Sequence, residues 1–441
     1  YSRITVDHEY AERQYTRSMV TASTKATLFG DALSAGARFI RESDDADNPI
    51  DQSFDDTDRA LLADAGDDAT LASRPGAVYV GLDTARGTGA GLYARIDTLI
   101  GGADRVVFRY QPGSDSATWA VSFSFVGAGR GDYRRKSVGV FEFAGVNAGD
   151  YAPLRLLPLP RAQQLFNVTM ALRPLRDLSI GGEIAASNLD RNRLSMKDDA
   201  DDAGLAGNLT ASWSNAATPL GTLDVRARYR GMAEHFTAID RINDIEFARR
   251  WDAGQSANNA ERLGEAEAVL RSSEALSFRL GSGSIAREGF SSQRFDGGIA
   301  LVDAARDSSL PNATWNVEYI DSDRRDSGVR GRWLRQLANA DFAMDFGTPR
   351  LRVEQEHRRS TVGDSLLAES QAFVDIRPGV LLPDIAGMQF SADFGMRMED
   401  AVLNGALRRR SVDILQQYGW TLRSWSDLSA SATMTIRDRR F

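Results

Sequence analysis

Side chains that attack, ionise or ligate are unevenly supplied here. The chain has no cysteine and only three histidines, His8, His235 and His357. Disulfide frameworks and thiolate sites are therefore excluded, and a zinc centre has little to draw on. No Gly-x-Ser-x-Gly elbow and no His-Glu-x-x-His helix occurs, and no spacing selects a serine, a histidine and an aspartate as partners. No catalytic residue is assigned, and the chain is read as a non-enzyme. Gly281, Gly283 and Gly289 lack the spacing and the strand-to-helix setting of a nucleotide loop and are read as a turn.

Carboxylates offer the remaining chemistry. Asp44, Asp45 and Asp47 open an acidic run that continues to Asp68, and Asp198, Asp199 and Asp201 form a second cluster with Asp202. Hard oxygen ligands at such density are what calcium takes. Neither run has the EF-hand order, because no glutamate stands at the closing position. A solvated acidic loop is the favoured reading, and no cofactor is assigned.

Fifty-three basic side chains face 61 acidic ones, for a formal net charge of -8, and lysine occurs only at Lys25, Lys136 and Lys197. Arginine thus carries almost all the positive charge. The acidic balance and the lack of a basic run argue against a nucleic-acid partner. No apolar stretch is long enough for a membrane-spanning helix, and residues 1–10 lack the basic and apolar regions of a signal peptide.

The elements that would position these charges show strict alternation of apolar and polar residues, the period of a β-strand. In 222–231, Leu223, Val225, Ala227 and Tyr229 oppose Asp224, Arg226, Arg228 and Arg230. The same pattern marks 350–358, 388–398 and 428–437. Further strands are expected at 119–125, 166–172, 178–186, 264–270, 315–319, 342–346 and 412–422, roughly 18 to 20 in all. Short connections are expected at 173–177, 215–221, 271–275 and 347–349, and long ones at 188–206, 231–262, 321–339 and 358–370. Two helices are expected, at 57–65 with a threonine cap and Gly66 as its stop, and at 245–251. Phe123, Phe125, Gly127, Gly131, Asp132 and Tyr133 recur 18 residues later as Phe141, Phe143, Gly145, Gly149, Asp150 and Tyr151, which predicts two glycine-rich turns. Residues 1–152 hold less regular strands, the acidic loop 43–75 and these turns. A proline-bearing connection follows at 153–163, and 164–441 is a run of regular strands continuing the same sheet.

Tandem two-faced strands of about ten residues, short turns set against long polar loops, the absence of cysteine and the terminal aromatic Phe441 resemble bacterial outer-membrane β-barrels. The resemblance is architectural, covers most of the chain and identifies no particular family. It implies an all-β protein, a large antiparallel transmembrane β-barrel with long polar loops on one side, in the outer membrane of a Gram-negative bacterium. Its apolar face would meet lipid, with Trp119, Trp213, Trp315, Trp420, Tyr229, Tyr319 and Tyr418 as interfacial anchors. Its ionic face would line the lumen with Arg226, Arg228, Arg230, Arg279, Arg350 and Arg352 beside Glu265, Glu267, Glu318, Glu354 and Glu356. The leading expectation is a porin-like barrel that passes solutes. The alternatives are a non-conducting barrel that anchors an outer-membrane assembly, with protein partners on its long loops, and a soluble β-repeat binding protein.

Overall fold

The computed structural model describes residues 2–6, 15–46, 54–254, 260–302, 310–425 and 428–441. The protein is nearly all-β and is built on one large antiparallel sheet. Sixteen long strands make up most of it among the described residues. The first are β1 (Tyr15–Leu28), β2 (Leu33–Asp44), β3 (Ala162–Leu175), β4 (Leu178–Asp190), β5 (Ala203–Thr218) and β6 (Gly221–Met232). Next come β7 (Glu261–Arg271), β8 (Leu276–Arg287), β9 (Phe290–Leu301), β10 (Asn312–Arg324) and β11 (Val329–Asp341). The last are β12 (Thr348–Val362), β13 (Gln371–Leu381), β14 (Met388–Leu403), β15 (Ala406–Trp425) and β16 (Leu428–Arg440). Two short strands, Ser2–Val6 and Ser365–Leu366, complete the sheet. Pairing follows chain order from β5 to β16.

Turn chemistry sets the register. Asn404 and Gly405 both have positive φ, at 53° and 76°, and join Leu403 directly to Ala406. Two left-handed residues give the backbone twist that a two-residue hairpin requires, which is why Asn-Gly serves there. Several expected boundaries move. The stretch 321–339, expected to be a long connection, contains the end of β10, a short turn and most of β11. Trp333 and Leu337 share the side of Arg335 in β11, while Arg330 and Arg332 lie on the other, so its two faces contrast weakly and the alternation is hard to see. Likewise β12 runs on to Val362, so the connection expected at 358–370 is shorter. Residues 342–346, expected to be a strand, form the turn between β11 and β12, closed by the Met344–Gly347 bridge. Gly281 and Gly283 lie inside β8 rather than in a turn, whereas Gly289, with φ 63°, does turn the chain.

The sheet's two faces differ in exposure. On one side Leu280 is 71% exposed, Phe295 50%, Phe394 47% and Met434 55%. On the other, charged and hydroxyl side chains are buried: Asp296 is 9% exposed, Glu356 6%, Asp375 2% and Ser322 1%.

The chain divides into two compact units. Unit 2, which holds 23–38, 165–187 and 204–441, is made mainly of the regular strands. Unit 1, which holds 1–22, 39–164 and 188–203, carries two small four-stranded sheets and the helix α1 (Asp56–Ala65). The small sheets share an aromatic cluster of Tyr93, Phe108, Tyr133 and their neighbours. Trp119 packs there against Tyr79 and Phe108, so it is not an anchor on the large sheet. The glycine repeat lies in the second small sheet, where Gly131 bridges Gly149. Each sits against the backbone of Tyr151 or Tyr133, with no room for a Cβ.

The helix starts with a capping box between Asp55 and Asp58, so the cap is Asp55 rather than Thr57, and it stops at Gly66 with φ 62°. Its Leu62 is fully buried among Phe54, Ala65, Ala72 and Leu157. Leu62→Ala should cost about 3 kcal/mol, seen as lost amide protection over 56–65 in hydrogen exchange while β6 to β8 keep theirs. Unchanged protection of the helix would contradict this packing.

Candidate functional site: an ionic sheet face and the loop seated on it

Directly paired residues on neighbouring strands share a face, so the register decides which charges meet. Arg226 pairs with Glu267 and Arg228 with Glu265 across β6 and β7, and Arg230 follows on the same side. Glu267 faces Gly281 and so shares its side with Arg279 of β8. Asp296 then opposes Glu318, Glu318 opposes Arg335, and Arg335 opposes Glu356. Arg350, Arg352 and Glu354 share the side of Glu356 on β12. All eleven residues expected to line one face therefore do lie on one face. His357 projects from the other side of β12, His235 is exposed, and His8 lies outside the described residues.

On this face the charges pair. Arg228 reaches Glu265 at 2.6 Å, Arg279 reaches Asp296 at 3.1 Å and Glu267 at 3.5 Å, and Arg335 meets Glu318. Arg350 binds Asp393 at 2.6 Å, and Arg352 binds Glu354 at 2.9 Å. The exposed pairs among these, such as Arg352–Glu354, add little stability each. The buried carboxylates differ, because an uncompensated buried charge is costly. Glu261, 3% exposed, sits between Arg230 and Arg287, accepting from Arg230 Nε at 2.9 Å and Arg287 Nη2 at 2.8 Å.

The connection after β6 lies against this ionic face. Its helix α2 (Phe247–Trp251) buries Phe247 and Trp251 against Leu263, Ile285 and Phe290. Apolar side chains on an otherwise charged face thus mark where the loop docks. The arginines contribute their flat faces as well: Arg230 and Arg287 stack on Phe247, each at 5.5 Å, and Arg294 lies 5.8 Å from Trp251. A guanidinium can stack and donate a fork of hydrogen bonds at once, which an ammonium cannot, and this accounts for arginine in place of lysine here.

Asp252 closes the helix in the left-handed region, with φ 49°. Its buried carboxylate accepts from Ser322 Oγ at 2.7 Å, Arg358 Nη2 at 2.6 Å and Arg324 Nη2 at 3.2 Å. Two glycines make room for these contacts. A Cβ on Gly283 would lie 2.7 Å from the Trp251 ring, and one on Gly331 would strike the Asp252 carboxylate. Beside the loop is a cavity of about 790 Å³, lined by Phe236, Arg241, Ile242, Phe247, Glu261 and Arg287 among others.

The acidic runs are sorted differently. Asp44 is buried and paired with Arg17 at 2.7 Å, Asp45 also has a partner, and Asp47 lies outside the described residues. Asp198 and Asp199 are exposed. Asp201 comes together with Asp67 and Asp202, their carboxylate oxygens within 4.8 Å of one another. Burial, then the charges of Asp190, Asp67, Asp199 and Asp201, push Asp202 up to about 6. Sequence reasoning singled out none of Glu261, Trp251, Asp252, Arg324 or Arg358 as a site residue, and it placed Asp67 in the first acidic run without joining it to the second. A short apolar cluster inside a long polar connection, 245–251, was the one signal that pointed at the docked loop.

No protein-family model matches the chain, and no curated protein is similar to it in sequence.

Asp252→Ala would leave Arg324 and Arg358 with Glu369 alone, at 3.3 and 3.7 Å, and Ser322 without its acceptor, a loss of about 1–3 kcal/mol. The expected readout is faster amide exchange over 247–254 with β10 to β12 still protected. Equal exchange in the variant and the native protein would show that Asp252 does not hold the loop.

Proposed function

We propose that the large sheet closes into a membrane-spanning β-barrel of the bacterial outer membrane, whose ionic face lines a polar passage for solutes. The observation that carries this reading is the inverted exposure of the two faces. A large apolar side chain left in water forgoes about 1.5–3 kcal/mol, and the apolar face carries many such residues, among them Phe278, Leu280, Phe295, Ile299, Trp315, Phe390, Phe394 and Met434. Lipid around that face removes the penalty, whereas the soluble alternative would have to hide the same face in a core. Strand length agrees: the sixteen run from 11 residues in β7 to 20 in β15, and about 9–11 tilted residues cross a bilayer. In hydrocarbon an open sheet edge would leave amides unpaired, and closure satisfies them. Trp213, Trp315 and Tyr229, exposed on the apolar face, suit interfacial anchoring.

Within such a barrel the loop carrying Phe247–Trp251 lies inside the lumen and narrows it. Solutes would move past rows of arginine opposed by carboxylates, a transverse field that discriminates by charge and dipole. A second reading has its own support. The paired carboxylates and the tightly held loop would also suit a rigid, non-conducting barrel that anchors an outer-membrane assembly.

Planar-bilayer recording separates the two. A passage predicts stepwise conductance, and Arg226→Glu, which reverses an exposed charge on the ionic face, should raise the cation-to-anion permeability ratio by about threefold. Absence of any conductance from folded, inserted protein would remove the passage and leave the anchoring role.

A further inference from the structure

We propose that Asp67, Asp201 and Asp202 form a calcium-binding site in unit 1. Asp67 follows the stop of α1, and the two other carboxylates lie at the end of the connection between β4 and β5. Hydrogen bonds fasten these two segments together. Asn192 Nδ2 donates to the carbonyls of Leu62 and Gly66, each at 2.7 Å, Ser195 Oγ donates to the Ala63 carbonyl at 2.9 Å, and Lys197 pairs with Asp64. The last carbonyls of the helix are thereby satisfied, and the carboxylates that follow are held in place rather than free to spread apart.

Spread is what like charges in solution would favour. Asp202 is nonetheless 8% exposed, and among the described residues no donor reaches its carboxylate. Its neighbours are Asp67, Asp190, Asp199 and Asp201. Arg191, 3.3 Å from Asp67, is the nearby cation that pairs with the cluster, and Lys197 is engaged by Asp64. A buried carboxylate with acidic neighbours and no donor lacks what its burial requires. A divalent cation supplies it.

Size and hardness select the ion. Three carboxylates within 4.8 Å of one another suit calcium, which takes about six to eight oxygens in flexible geometry, better than the smaller magnesium, which demands a near-ideal octahedron. The donor set is oxygen alone, which disfavours zinc. Asp201 is exposed and provides the side from which the ion enters, with water completing the coordination.

The test is calorimetric titration of calcium chloride into the whole chain after treatment with a chelator. One saturable site is expected, weakened about tenfold or more by Asp202→Asn and by Asp201→Asn and unaffected by Asp115→Asn, which removes an acid from an exposed turn elsewhere in unit 1. Magnesium chloride should bind more weakly. Calcium should also raise the melting temperature of the native chain and leave that of Asp202→Asn unchanged, which separates loss of the site from loss of the fold. No saturable calcium binding by the native chain, or equal affinity in Asp201→Asn and Asp202→Asn, would overturn the assignment.

Discussion

A carboxylate buried without a donor or counter-charge is costly, and one face of this sheet is organised to avoid that cost. Glu261 lies between two arginines, Asp296 is reached by Arg294 and Arg279, and Asp375 by Arg377 and Arg397. Removing one member would strand its partner's charge, so strand register, side-chain identity and loop position are bound together. The opposite face has the contrary property, with its large side chains exposed. Alternation along each strand forces the two to coexist: every second residue must satisfy the ionic side, and the residue between must suit whatever lies outside.

The docked loop extends the same logic. Its short helix offers apolar rings to the few apolar residues of the ionic face, and its terminal Asp252 enters a gap between Arg324 and Arg358 that Gly331 keeps open. Glycine in a strand interior is ordinarily a weakness. At 283 and 331 it is the condition for close approach of the loop. The side chains that hold the loop are thus the same kinds that stitch neighbouring strands, and the loop behaves as a further layer of the ionic face.

Much of this was legible in the sequence, because period two is a local property. The polar parity of Arg226, Arg228 and Arg230, or of Arg350, Arg352, Glu354 and Glu356, is visible without knowing any partner, and the eleven residues chosen that way share one face. What the local pattern could not reveal was pairing at long range. Nothing near Asp252 in the sequence announces Arg358, 106 residues away. Strand β11 was hidden because Trp333 and Leu337 serve the ionic side. Asp67 and Asp202 were separated by the same limit, being joined by hydrogen bonds from Asn192 and Ser195 to a helix far behind them in the chain. The Asn404-Gly405 turn shows the converse, a purely local signal that fixes one hairpin.

The central claim is that the apolar face meets lipid and the ionic face meets water. The chain has no cysteine, so single cysteines can be introduced one at a time along 388–398 and spin-labelled in reconstituted bilayers. Collision with oxygen, which concentrates in lipid, and with a water-soluble nickel chelate then reports each position's surroundings. The expected result is alternation: oxygen access at 390, 392, 394 and 396, and oxygen exclusion at 391, 393, 395 and 397. Labels at the even positions that are reached by the nickel chelate, or shielded from both relaxants, would place that face against water or inside a protein core and contradict the account.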